Sequence, residues 1–153
     1  MVGMVFRFVV TAPEITDVRS WQDELRRIEG AGFDTVGVAD HFTEGWAMEP
    51  MVTLTAAAMA TTTLRLQTSV LGNDYRHPVL VHRMAATLDV LSGGRFLFGV
   101  GAGWNREEMR NHGTDPRRRF SIMRERARSP RHSATSTRCS LTTTRARSET
   151  SGR

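Results

Sequence analysis

The chain has 153 residues, 39% of them hydrophobic, a single cysteine, Cys139, and a formal charge of +5. That is enough for one domain with a sizeable core, and no apolar run has the length of a membrane span or of a signal peptide's apolar region, so a cytoplasmic protein is expected. One cysteine excludes an intrachain disulfide framework, and the charge is confined to one end: residues 1–126 carry 15 Arg and 15 Asp plus Glu, whereas residues 127–153 carry six Arg and one acid, Glu149. A nucleic-acid-binding domain would carry its basic face on the folded part, so no nucleic-acid partner is expected.

In chain order, the apolar run 5–10 reads as a strand. Trp21, Leu25 and Ile28 then recur at helical spacing behind Thr16 and Asp17, with Gly30 and Gly32 as the stop. Residues 35–39 form a second strand candidate, and Pro50 opens a helix through Met51, Leu54 and the alanines 56–58. After the third strand candidate, 66–71, Pro78 opens a helix carrying Leu80, Met84, Leu88 and Leu91, closed by Gly93 and Gly94. The fourth strand candidate, 96–101, runs through glycines 99, 101 and 103 into a helix that Asn105 caps with Glu108 three residues later.

The strand centres lie about 30 residues apart, the length of a βαβ unit, and the strands are mostly apolar runs, as expected of parallel strands covered on both faces. The order is βαβαβαβα. An open doubly wound sheet and a (β/α)8 barrel share it, and in both the ligand gathers at the C-terminal strand ends. Here those ends are "TAPE" (11–14), "DHFTEGW" (40–46), "GNDYRHP" (72–78) and "GAGWN" (101–105).

Residues 127–153 hold six Arg, six Ser and six Thr and only one large aliphatic residue, Leu141. Such a segment cannot offset its ordering entropy by burial, and a disordered tail is expected. All 21 basic residues other than histidine are arginine. The absence of lysine suggests a GC-rich gene and, for the tail, an out-of-frame read-through after a frameshift near codon 126.

The GxGxG spacing at 99–103 follows the fourth strand rather than the first and lacks the acidic residue that a dinucleotide fingerprint requires, leaving a tight turn or a backbone that a cofactor approaches closely. Asp40 and His41 read either as a turn cap with a local hydrogen bond or as groups facing a ligand. Trp46 reads as a rim aromatic or a stacking wall, and Tyr75 and His77 are equally open. The five histidines lack metal-ligand spacing, so no metal is expected, and no nucleophile elbow, P-loop or HExxH is present.

The segments "GFDTVGVADHF" (32–42) and "LQTSVLGNDYRHPVLVHRMAATLDVLSGGRFLFGVGAGWNREEM" (66–109) resemble the N-terminal half of the luciferase-like monooxygenase superfamily, in particular its flavin- and deazaflavin-dependent oxidoreductases. The resemblance covers residues 4 to about 126. It implies the N-terminal half of a TIM-type (β/α)8 barrel, about four βα units as domain 1–126, followed by the tail 127–153. It further implies coenzyme F420, or alternatively FMN, with Gly101, Ala102, Gly103 and Asn105 lining the cofactor ring, Asp40 and His41 facing it, and a non-proline cis peptide at Ser69–Val70 behind it. The implied chemistry is hydride transfer or monooxygenation of a small organic substrate.

Some deazaflavin relatives place an acidic proton donor where Trp104 stands, so His41 is the candidate acid and Trp46 the second catalytic candidate. A complete barrel of this kind takes roughly 250 residues. The chain is therefore expected to be a truncated oxidoreductase that binds cofactor weakly or pairs into a homodimer. The alternative is a noncatalytic remnant or interaction fragment.

Overall fold

The computed structural model describes residues 7–43 and 48–128. β1 (Val9–Thr11) leads to α1 (Val18–Gly30), which starts where the Asp17 carboxylate accepts from the Ser20 N–H at 2.8 Å and buries Trp21 and Leu25. After β2 (Thr35–Val38), α2 (Pro50–Ala60) is capped by Glu49, whose carboxylate accepts from the Val52 N–H at 2.7 Å. α2 is apolar nearly all round, as a helix wedged between two others must be. β3 (Arg65–Thr68) and β4 (Leu71–Gly72) precede α3 (Pro78–Leu91), and β5 (Phe96–Leu97) and β6 (Val100–Gly101) precede α4 (Arg106–Asn111) and α5 (Arg119–Arg128). No helix among the described residues is long and apolar enough to cross a membrane.

The main sheet is parallel in the order β1-β2-β3-β5, each new strand joining the same edge, and α2 packs on α1, α3, β2 and β3. A doubly wound sheet reverses its strand order and carries helices on both faces, whereas barrel winding does neither. The choice between the two architectures is thus made by topology: these are four βα units wound as in a TIM-type barrel. One contiguous core between sheet and helices holds the fully buried Leu25, Val36, Leu54, Leu64, Leu66, Leu71 and Leu88.

Three sequence expectations change. β3 alternates, Leu66 and Thr68 buried and Arg65 and Gln67 half-buried, because the helices cover one face only. The third and fourth strands are each broken in two. Leu66 pairs with Phe96 and Gln67 with Leu97, but beyond the break Leu71 pairs with Val100, so the third strand carries one extra residue. The Ser69–Val70 peptide in that break is cis, and the Thr68 hydroxyl bridges it, donating to the Gly99 carbonyl and accepting from the Gly99 N–H, each at 2.8 Å. Finally, the helix after Asn105 stops at Asn111, turns at Gly113 (φ +70°) and Pro116, and resumes as α5.

Arg95 explains why the "LSGGRF" stretch is built as it is. Gly93 and Gly94 take φ of +67° and +81° to end α3. Arg95 then donates to the carbonyls of Ala58, Thr61, Leu64 and Ser92, tying the ends of α2 and α3 to the start of β3.

Candidate active site

The strand ends converge on one buried carboxylate. Glu108, on α4, is fully buried. Its oxygens accept from His41 Nδ1 (3.0 Å), the Phe42 N–H (3.2 Å), the Thr43 hydroxyl (3.0 Å) and N–H (3.4 Å), and the Tyr75 hydroxyl (2.7 Å). Burial alone would raise its pKa, but the hydrogen bonds from Tyr75, His41, Phe42 and Thr43 prevail and hold it down to about 2. Burial and the adjoining Glu108 carboxylate together push the Tyr75 phenol upward, so it stays a donor.

An ionised carboxylate only accepts, so His41 Nδ1 carries its proton toward Glu108. Any proton the ring gives or takes then moves at Nε2. The Trp104 ring, 71% exposed, meets the His41 ring edge-on at 5.5 Å between centroids. Phe42, Tyr75 and His112 close the other side, with pairwise centroid distances of 4.6–4.8 Å.

The capping box expected of Asn105 and Glu108 is half formed. Asn105 Oδ1 accepts from the N–H groups of Glu107 and Glu108. The Glu108 carboxylate, however, turns to its five donors across the strand ends, which outweigh one cap N–H. Asn105 Nδ2 instead donates to the Thr43 hydroxyl at 3.1 Å, linking the fourth strand end to the second.

Among the described residues, Asp40 and His41 bond to partners far along the chain. Both Asp40 oxygens accept from Arg76, at 2.6 and 3.0 Å, and one also accepts from the Gly72 N–H at 2.7 Å. Arg76 further pairs with Glu49 at 2.6 Å. Burial works against the Arg76 charge, but the two carboxylates raise its pKa. Asp40 therefore positions the β4 end and the entry to α2 in this structure. Of the residues left open, His77 caps α3, its Nδ1 accepting from the Val79 N–H at 3.3 Å, while Tyr75 belongs to the Glu108 cluster.

Ser69–Val70 and the glycine turn lie side by side. A Cβ on Gly101 would stand 2.5 Å from Val70 Cγ2, and one on Gly99 would stand 2.2 Å from the Thr68 carbonyl oxygen. These two glycines are thus required by the chain's own close approach. Gly103 (φ +75°) needs glycine for its conformation. Gly101, Ala102 and Gly103 are half-buried and Val70 is 38% exposed, which leaves a ledge of backbone and small side chains next to Trp104, whose ring meets His41. Trp46 lies outside the described residues.

Sequence reasoning missed Glu108 as the hub and Arg76 as the partner of Asp40. The available signal was the set of donors at the strand ends, His41, Thr43 and Tyr75, facing a helix whose first turn carries the carboxylates Glu107 and Glu108.

Comparison with known proteins gives the family. The luciferase-like monooxygenase family model matches residues 1–140, and the chain belongs to that family. It is 36% identical over 102 residues to 4-hydroxyprotoasukamycin monooxygenase of Streptomyces nodosus subsp. asukaensis, covering 65% of this chain and 26% of that protein. It is 43% identical over 86 residues to an F420-dependent glucose-6-phosphate dehydrogenase of Beutenbergia cavernae, covering 52% and 26%. Among solved structures, the oxygenating constituent of 3,6-diketocamphane monooxygenase from Pseudomonas putida, a type II Baeyer-Villiger enzyme in complex with FMN, superposes with a TM-score of 0.69 at 20% identity, covering 81% of this chain and 38% of that one. The chain thus spans about a quarter of the length of these two sequence relatives.

Proposed function

We propose that this chain supplies the ring-binding part of an oxidoreductase that uses coenzyme F420, with FMN the alternative, on a small organic substrate. The observation that carries the reading is the ledge formed by Val70 and the 101–103 backbone, next to Trp104, whose ring meets a histidine that a buried carboxylate orients. That surface fits a flat ring: it offers backbone and small side chains, with Ser69 and Asn105 at its margins. When bound, the ring supplies the hydride chemistry.

The chain's own residues do the rest. Gly101, Ala102 and Gly103 present close backbone, and Val70 backs it. His41 Nε2 donates or accepts the proton that accompanies hydride transfer, while Glu108 holds the imidazole in the required tautomer. Asp40 acts one step removed, through Arg76 and Gly72.

Titration with F420 and with FMN, followed by cofactor fluorescence, tests the reading. Quenching by one cofactor, reduced in the Val70→Arg variant that fills the ledge, supports it and names the cofactor. Silence with both favours the alternative, an interaction fragment without turnover.

A further inference from the structure

A second site candidate lies between α4 and α5. Arg106, Arg110, Arg117 and Arg119 line an open groove of about 620 Å³ together with Asp115 and Phe120. Four guanidiniums thus face one carboxylate. That carboxylate is already engaged, since Asp115 Oδ1 accepts from the backbone N–H of Arg117 at 2.9 Å.

Arg119 is held in place: its Nη1 donates to the Gly103 carbonyl at 3.1 Å, and its guanidinium stacks over the Phe120 ring at 4.6 Å. Among the described residues, no carboxylate forms an ion pair with Arg106, Arg110 or Arg117. Four arginines around a single carboxylate leave a net positive charge, which favours a multivalent anion. Planar guanidinium forks match the oxygens of a phosphate, offering paired donors that a lone ammonium lacks.

We propose that this groove is a phosphate-binding site for an organic phosphate, with Arg106, Arg110 and Arg117 as donors and Arg119 as the fixed wall. Through Arg119 it adjoins Gly103. The phosphate can therefore belong to a ligand seated on the ledge or to a separate phosphorylated molecule. The inference stands independently of the oxidoreductase reading.

The test is calorimetric titration of the 153-residue chain with pyrophosphate at constant ionic strength, compared with an Arg110→Gln/Arg117→Gln variant. Both arginines are exposed, so the variant is expected to keep its circular dichroism spectrum and unfolding midpoint. The expected result is an affinity loss of about tenfold or more in the variant, with chloride failing to compete. Equal affinity in the two proteins, or no pyrophosphate binding by either, overturns the proposal. Where pyrophosphate binding is lost in the variant, FMN and riboflavin identify the source. Weakening of FMN but not of riboflavin assigns the site to a ledge ligand's phosphate, and unchanged FMN binding assigns it to a separate phosphorylated molecule.

Discussion

Glu108 is the residue on which the strand ends depend. Five donors from two segments of chain, 41–43 and Tyr75, meet its carboxylate, so Glu108→Gln replaces an acceptor-only group with one that presents N–H to some of those donors. A stability loss of about 2–4 kcal/mol is expected, because buried donors are left unmatched. Urea unfolding measures it, and a change under about 0.5 kcal/mol, within the range of ordinary surface substitutions, would remove Glu108 from this role. Asp74 presents the opposite case. Both its carboxylate oxygens are buried without a hydrogen-bond partner among the described residues, so Asp74→Asn should be neutral or stabilising by up to about 1 kcal/mol. A clear destabilisation would mean that the carboxylate has a partner this structure does not hold.

At the element scale, the breaks in the third and fourth strands decide where the ledge lies. Gly101 stands on it and the buried Gly99 lies just before it, and the two fail differently when a methyl group is added. At Gly101 the obstacle is the Val70 side chain, so Gly101→Ala should cost about 1–3 kcal/mol and be largely rescued by Val70→Ala. At Gly99 the obstacle is the Thr68 backbone carbonyl, which no side-chain change removes, so Gly99→Ala should cost more and resist rescue. A double-mutant cycle reads the difference, and equal rescue at both sites would contradict it. Arg95 plays the corresponding part at the opposite strand ends. Arg95→Ala leaves the carbonyls of Ala58, Thr61 and Leu64 without their donor and should cost about 3 kcal/mol by thermal unfolding.

For the molecule as a whole, acid stability follows from two carboxylates. Glu29 accepts from the N–H groups of Thr62, Thr63 and Leu64, joining α1 to the loop before β3. Burial opposes its ionisation, but those bonds hold its pKa down to about 2, as at Glu108. A carboxyl depressed in the folded state stabilises above its unfolded pKa, here 4.5 in the reference state, and that contribution is lost as pH falls toward about 2. Unfolding free energy should therefore decline between pH about 5 and about 2, with a shallower decline in Glu29→Gln. An unchanged slope in that variant would show that Glu29 is not linked to folding. The sequence by itself determined the four βα units, the capping of α1 by Asp17 and of α4 by Asn105, the proline starts of α2 and α3, and the strand ends that carry the site. Those are local choices, set by apolar periodicity, caps and breakers within a few residues of one another. The family resemblance already implied the barrel winding that the strand order bears out; only the tertiary structure decided the two strand breaks, the pairing of Asp40 with Arg76 and the gathering of His41 and Tyr75 on Glu108. Those contacts join residues 32–67 positions apart, and no local pattern carries a preference between partners that only the parallel register brings within hydrogen-bonding distance.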